Sequence, residues 1–126
     1  MTVLRVVPDI ECSSLQSATS FYTDVLGLEV VMDLGWIVTL ADPATPAAQV
    51  SLMTEDLTAP VVPDMSVEVD DVDRMYELAV RSGAEIIHPL TDEKWGVRRF
   101  FVRDPNGRVL NVLTHRGTPD GIAPAQ

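Results

Sequence analysis

A chain of 126 residues, 46% of them hydrophobic, is one domain's worth of sequence with enough apolar side chains for a single core. No apolar run approaches the roughly 18 residues a membrane-spanning helix needs, which excludes such a helix. Nineteen acidic against nine basic side chains leave a formal charge of −10, which opposes binding to a nucleic-acid backbone.

The opening segment Met1-Thr2-Val3-Leu4-Arg5 has no basic, apolar and small-residue leader pattern, so the expected location is cytoplasmic. A first strand is expected near Leu4–Ile10, and Pro8, with no backbone N–H, places it at a sheet edge or at a bulge. The lone cysteine, Cys12, excludes an internal disulfide and a multi-cysteine zinc site, and reads as a small buried or half-buried residue. Ser13 with Gln16 has capping-box spacing and predicts a helix over Leu15–Leu26, closed by Gly27. Leu15, Ala18, Tyr22, Val25 and Leu26 recur every three or four residues as its sheet-facing stripe, flanked by Phe21.

Three short strands rich in β-formers follow, near Leu28–Asp33, Trp36–Ala41 and Gln49–Met53. Thr54–Pro63, with Pro60 and Pro63, reads as a linker without chemistry. A strand near Asp64–Val69 then leads to a second helix over Val72–Ser82, capped by Asp70 or Asp71 and stopped by Gly83, with Val72, Met75, Tyr76 and Ala79 as its buried stripe. Three more strands are expected near Glu85–His88, Val97–Arg103 and Arg108–Thr114, and Arg116–Gln126 reads as a loose tail.

Strand, helix and three strands therefore occur twice. Leu28-Glu29-Val30-Val31 matches Ala84-Glu85-Ile86-Ile87, each after a helix-ending glycine, and Asp42-Pro43 and Asp104-Pro105 mark equivalent turns. The expectation is one α+β domain over 1–126 built from two βαβββ modules, about 4–53 and 64–115, with two similar half-sheets side by side.

Three segments carry a family resemblance: Ser20-Phe21-Tyr22-Thr23-Asp24-Val25-Leu26-Gly27-Leu28, Val67-Glu68-Val69-Asp70-Asp71-Val72-Asp73, and Trp95-Gly96-Val97-Arg98 with Asp104-Pro105-Asn106-Gly107. In this order and spacing they resemble the vicinal oxygen chelate superfamily of glyoxalases, extradiol dioxygenases, fosfomycin-resistance enzymes and bleomycin-resistance binding proteins. The resemblance spans about residues 4–115 and implies paired βαβββ modules whose mixed sheets curl around a cavity and which commonly dimerise. It also implies a divalent-metal site in many members, whose ligand positions carry over to Val7, Ser51, Asp64 and Asn111. Valine cannot ligate, and one carboxylate with an amide and a hydroxyl is a poor set for a transition metal or for calcium, so neither metal nor other cofactor is expected.

What remains is a cavity. The Trp95-Gly96 segment is most similar to the metal-free, bleomycin-resistance-like branch, which points to a homodimer binding a small molecule such as an antibiotic or another planar or cationic ligand. Two alternatives stand beside it: a glyoxalase-like lyase or dioxygenase-like enzyme, for which no catalytic pair is evident from spacing, and a structural or regulatory dimer without pocket chemistry. For the cavity wall, the turn Asp104-Pro105-Asn106-Gly107 predicts a type I turn with a glycine bulge. That register sets Phe101 opposite Asn111 and Arg99 opposite Leu113, turning Arg99, Phe101 and Asn111 to the cavity and Phe100 to the helices. Trp36 and Trp95 offer flat aromatic faces to a ligand, Trp36 being assigned to core and pocket alike. Met53, Asp64 and His88 complete the candidate ligand-binding set, as mouth residue, anionic anchor and opening of the Trp95 loop.

Overall fold

The computed structural model describes residues 2–116. Its elements are β1 (Val3–Glu11), α1 (Leu15–Leu26), β2 (Glu29–Asp33), β3 (Ile37–Ala41), β4 (Gln49–Met53), β5 (Met65–Val69), α2 (Val72–Arg81), β6 (Ile86–Asp92), β7 (Val97–Arg103) and β8 (Val109–His115). They form one curled eight-stranded sheet in the order β2-β3-β4-β1-β5-β8-β7-β6, so the protein is α+β and the βαβββ order occurs twice. Each half contributes four neighbouring strands, and the halves meet where β1 runs antiparallel to β5.

Pro8 corrects the expectation for the first strand, because β1 is central and its register shift lies between Val3 and Arg5. Successive backbone N–H groups point to opposite sides of a strand. The Asp9 N–H bonds the Asp64 carbonyl on the β5 side, so the Pro8 nitrogen faces β4, whose pairing with β1 begins only at Asp9. The missing donor therefore falls outside both ladders.

Both helices start and stop close to their predicted ends. Ser14, not Ser13, caps α1 by accepting from the Ser17 N–H, and Gly27 closes it in the left-handed region at φ 70°. Asp71 caps α2 by accepting from the Arg74 N–H. Leu15, Ala18 and Tyr22 pack with Cys12 and Leu28 onto Val38, Leu40, Val50 and Leu52, while Val25, Leu26 and Phe21 stay exposed. Met75, Tyr76 and Ala79 pack beside Val72 onto Val69, Phe100 and Val112. The helices thus cover the flanks of one face of the sheet, and the opposite, inner face carries the alternate side chains.

The last hairpin has the expected register. Asp104 donates its N–H to the Arg108 carbonyl, Gly107 adopts φ 86°, and Phe101 pairs with Asn111 and Arg99 with Leu113. The hairpin before it repeats the device, Glu93 donating to the Val97 carbonyl with Gly96 at φ 87°. Gly96 is needed on a second ground, since an added Cβ would come within 3.0 Å of the Arg116 carbonyl oxygen. The Arg116 N–H donates to the Gly96 carbonyl at 2.7 Å, and this bond with an ion pair to Asp92 ties down Arg116, the first residue of the expected tail; residues 117–126 of that tail lie outside the described residues.

Phe100 packs edge-on to Tyr76 under α2, with ring centroids 5.1 Å apart. Phe101 faces the inner side yet is fully buried, against the Arg99 guanidinium and the His88 ring. The expectation that Phe101 opens onto free space is therefore corrected. Denaturant melts should show both Phe100→Ala and Phe101→Ala losing about 3–5 kcal/mol, the usual cost of emptying a buried phenylalanine site. A loss below about 1 kcal/mol for either would contradict this packing.

Candidate functional site on the inner face

A row of buried polar side chains crosses the middle of the inner face. Asp9 on β1 pairs with Ser51 on β4, Ser51 with Thr39 on β3, and Ser66 on β5 with Asn111 on β8. The hydroxyls of Thr39 and Ser51 are 2.8 Å apart, Ser66 Oγ donates to Asp9 Oδ2 at 2.6 Å, and Asn111 Nδ2 donates to Ser66 Oγ at 3.0 Å. All five residues are buried, and these bonds link them to one another along the row.

The row runs on through Phe101 to His88, and beside it lies a charged group centred on Arg99. The Arg99 guanidinium is wholly buried and grips Asp56 with both Nη atoms, at 3.0 and 2.7 Å, while its Nε donates to Glu93 Oε2 at 2.7 Å. Thr58 Oγ1 donates to Glu93 at 2.8 Å, and His88 Nε2 lies 3.1 Å from the same carboxylate. The guanidinium rests 5.1 Å from the Trp95 ring centre and 4.8 Å from that of Phe101. Trp95 meets Trp36 edge-on at 5.4 Å, and Trp36 packs with Ile37, Met53 and Val62. Burial works against the Glu93 carboxylate, but the hydrogen bonds from Thr58 and Arg99, the Arg99 charge and His88 hold its pKa below the ordinary glutamate value.

Residues 6–112 match the family model of the Glyoxalase/Bleomycin resistance protein/Dioxygenase superfamily. The chain belongs to that superfamily. Among solved structures, a superfamily member from Vibrio splendidus 12B01 shares 24% identity at TM-score 0.69, over 90% of this chain and 99% of its own. Methylmalonyl-CoA epimerase from Mycobacterium tuberculosis shares 18% at TM-score 0.66, over 95% of this chain and 91% of its own. A variant of the Streptomyces coelicolor methylmalonyl-CoA epimerase, in complex with 2-nitronate-propionyl-CoA, shares 17% at TM-score 0.70, over 92% of this chain and 100% of its own. Identities this low establish a shared fold. No curated protein matches the chain in sequence.

The register makes Asp9 equivalent to Ser66, Ser51 to Asn111 and Val7 to Asp64, so the positions that the resemblance carries over, Val7, Ser51, Asp64 and Asn111, fall on or next to a central four of Asp9, Ser51, Ser66 and Asn111. Asp64 is exposed and accepts from the Val109 N–H with Oδ2, which takes it out of the inner group. One carboxylate, two hydroxyls and an amide do not fit a divalent transition metal, which wants imidazole or thiolate. Neither histidine supplies the lack, since His88 faces Glu93 and the His115 Nδ1 is bonded to Glu68 at 2.8 Å.

Of the predicted candidates, Trp36, Met53, His88, Trp95, Arg99, Phe101 and Asn111 all lie on the inner side, and Asp64 does not. Of the two aromatic faces expected to receive a ligand, that of Trp95 already carries a cation, Arg99, and Trp36 packs edge-on to Trp95. Asp56 and Thr58 of the 54–63 linker join the ion group at Arg99, and with Asp9, Ser66 and Glu93 they are the inner-face polar residues that sequence patterns missed. Glu93 bears a depressed pKa, so it favours the folded state fully above the ordinary glutamate value of about 4.3 and loses that contribution as pH falls through its folded value. Thermal melts from pH 6 down to about pH 3 should therefore fall more steeply for the parent than for Glu93→Gln; parallel curves would contradict it.

Proposed function

We propose that this protein is a metal-independent small-molecule-binding member of the superfamily, of the bleomycin-resistance-like kind, which takes its ligand on the inner face of the sheet. The observation that carries the reading is the row Thr39, Ser51, Asp9, Ser66 and Asn111, which sets hydrogen-bonding groups across the middle of the inner face with no imidazole among them. Polar groups of this kind orient a ligand, while Trp36 and Trp95 supply apolar wall, the usual division of labour in a small-molecule site. A ligand that binds only the folded chain raises its melting temperature in proportion to the logarithm of concentration over affinity.

A second reading, a metal-free enzyme, has one group in its favour. Asp9 is a buried carboxylate within 2.6 Å of a hydroxyl, the arrangement of a proton acceptor facing a donor. An Asp9→Asn variant that still binds ligand but no longer converts it would establish that reading, and a ligand recovered unchanged from the parent would refute it.

A second copy of the chain is the partner we assign to the outer side of β1. The helices cover β3 and β4 on one flank and β6 to β8 on the other, which leaves Leu4, Val6 and Ile10 of β1 and Val25 and Leu26 of α1 exposed. Val6, Pro8, Ile10, Tyr22, Leu26 and Leu28 line one continuous groove there, an uncharged strip on a chain of net charge −10. Sedimentation equilibrium at micromolar concentration should give twice 13.8 kDa, and a Val6→Lys, Leu26→Lys pair should halve it; a 13.8 kDa parent contradicts the assignment.

Thermal-shift screening against small molecules and divalent metals tests the main reading. Hits should stabilise the parent and lose at least about tenfold in affinity in Asn111→Ala, where a positioned hydrogen-bonding group is removed. Hits that bind Asn111→Ala unchanged, or stoichiometric stabilisation by a divalent ion alone, would overturn it.

A further inference from the structure

The connection between β4 and β5 behaves toward the inner face as a bound molecule would. It forms no helix or strand, and Leu57 within it is 60% exposed, yet it sends two side chains inward. Val62 packs on the apolar wall of Trp36, Ile37 and Met53, and the Asp56 carboxylate occupies both Nη atoms of Arg99 in a parallel fork. An apolar body at one end and a carboxylate at the other make up the two halves of an amphiphilic acid.

The cradle that receives Asp56 is built of fixed parts. Glu93 is held on a tight hairpin turn and orients the guanidinium through Nε, while Trp95 and Phe101 support it through their rings. Arginine's planar fork matches a carboxylate in geometry as well as charge. Trp95 adds a further donor, since its Nε1 is buried and has no hydrogen-bond partner among the described residues. A surplus donor on the ring that flanks Arg99 calls for an acceptor. An incoming carboxylate would take the place of Asp56 on the Arg99 fork and reproduce the charge that Asp56 brings to the group.

We infer that the Arg99 cradle is a carboxylate-binding subsite, filled in this conformation by the chain's own Asp56, and that the ligand is a planar aromatic acid whose ring replaces Val62 against Trp36 as the 54–64 connection lifts. This inference rests on the reading of the inner face as a ligand site and names the class of ligand. The internal carboxylate competes at the effective concentration set by its short tether, of order millimolar, so the parent binds such an acid weakly and a chain without Asp56 binds it well.

Benzoate, with neutral benzamide and cationic benzylamine as controls, probes the subsite in the parent and in Asp56→Ala. Binding is followed by melting temperature and by emission of the two tryptophans, Trp36 and Trp95. Asp56→Ala should melt below the parent, and benzoate alone should restore it, with an affinity at least about tenfold above the parent's. Should Asp56→Ala not fold unaided, the parent carries the test: benzoate, and neither control, should speed cleavage after Glu55 by a glutamate-specific protease. Equal effects of benzoate and benzamide would overturn the carboxylate subsite while leaving ligand binding on the inner face intact. No effect of benzoate on either protein would overturn the subsite outright.

Discussion

The ion group at Arg99 is the constraint around which the inner face is organised. A buried guanidinium costs several kcal/mol to desolvate and is tolerated only where its donors are met by acceptors of good geometry. Asp56 and Glu93 meet it from different parts of the chain, 43 residues before and six before. Removing either partner leaves a buried charge short of its counter-ion, a change that costs about 3–5 kcal/mol in comparable sites. The position of the 54–64 connection, the aim of the β6–β7 turn and the orientation of Trp95 are all consequences of satisfying this one side chain.

Duplication explains where the group sits and why the two halves differ there. Through the register, Arg99 and Phe101 of the second half correspond to Ile37 and Thr39 of the first, paired with Leu113 and Asn111 in one case and Met53 and Ser51 in the other. Both halves keep the same scaffold. The first uses its inner face for an apolar wall and a pair of hydroxyls, and the second for a cation and its carboxylates. A curled sheet of two such halves brings the unlike faces together, which gives the inner face a polar centre, an apolar side and a charged end.

The local features of this arrangement were legible in the sequence where short-range chemistry decides them. The Asp104-Pro105-Asn106-Gly107 turn set the register of β7 and β8, and with it the inward direction of Arg99, Phe101 and Asn111 and the outward direction of Phe100. Helix stripes and glycine stops behaved likewise, and the segments that resemble the superfamily lie within its matched span. What sequence spacing could not convey is pairing at a distance. Asp56 sits in a proline-flanked stretch with the composition of a plain linker, and nothing local marks it as the partner of an arginine two strands and a helix later. Glu93 is hidden in the polar run Thr91-Asp92-Glu93-Lys94, where only the hairpin's bulge turns it inward. Asp9 was obscured by Pro8, whose apparent meaning, an edge strand, is cancelled by the hand-over of β1 from β5 to β4.

Fixing the connection to the inner face through Arg99 has a direct signature in the backbone. The Thr58 and Ala59 N–H groups donate to Asp56 Oδ1, at 3.2 and 3.1 Å, so their exchange with solvent reports whether that carboxylate is held in place. In Arg99→Gln both amides keep their acceptor but lose what anchors it. Amide hydrogen exchange should then show Thr58 and Ala59 losing protection while the β1 and β5 amides keep theirs. Unchanged protection of Thr58 and Ala59 in Arg99→Gln would mean that Arg99 does not hold the connection on the sheet.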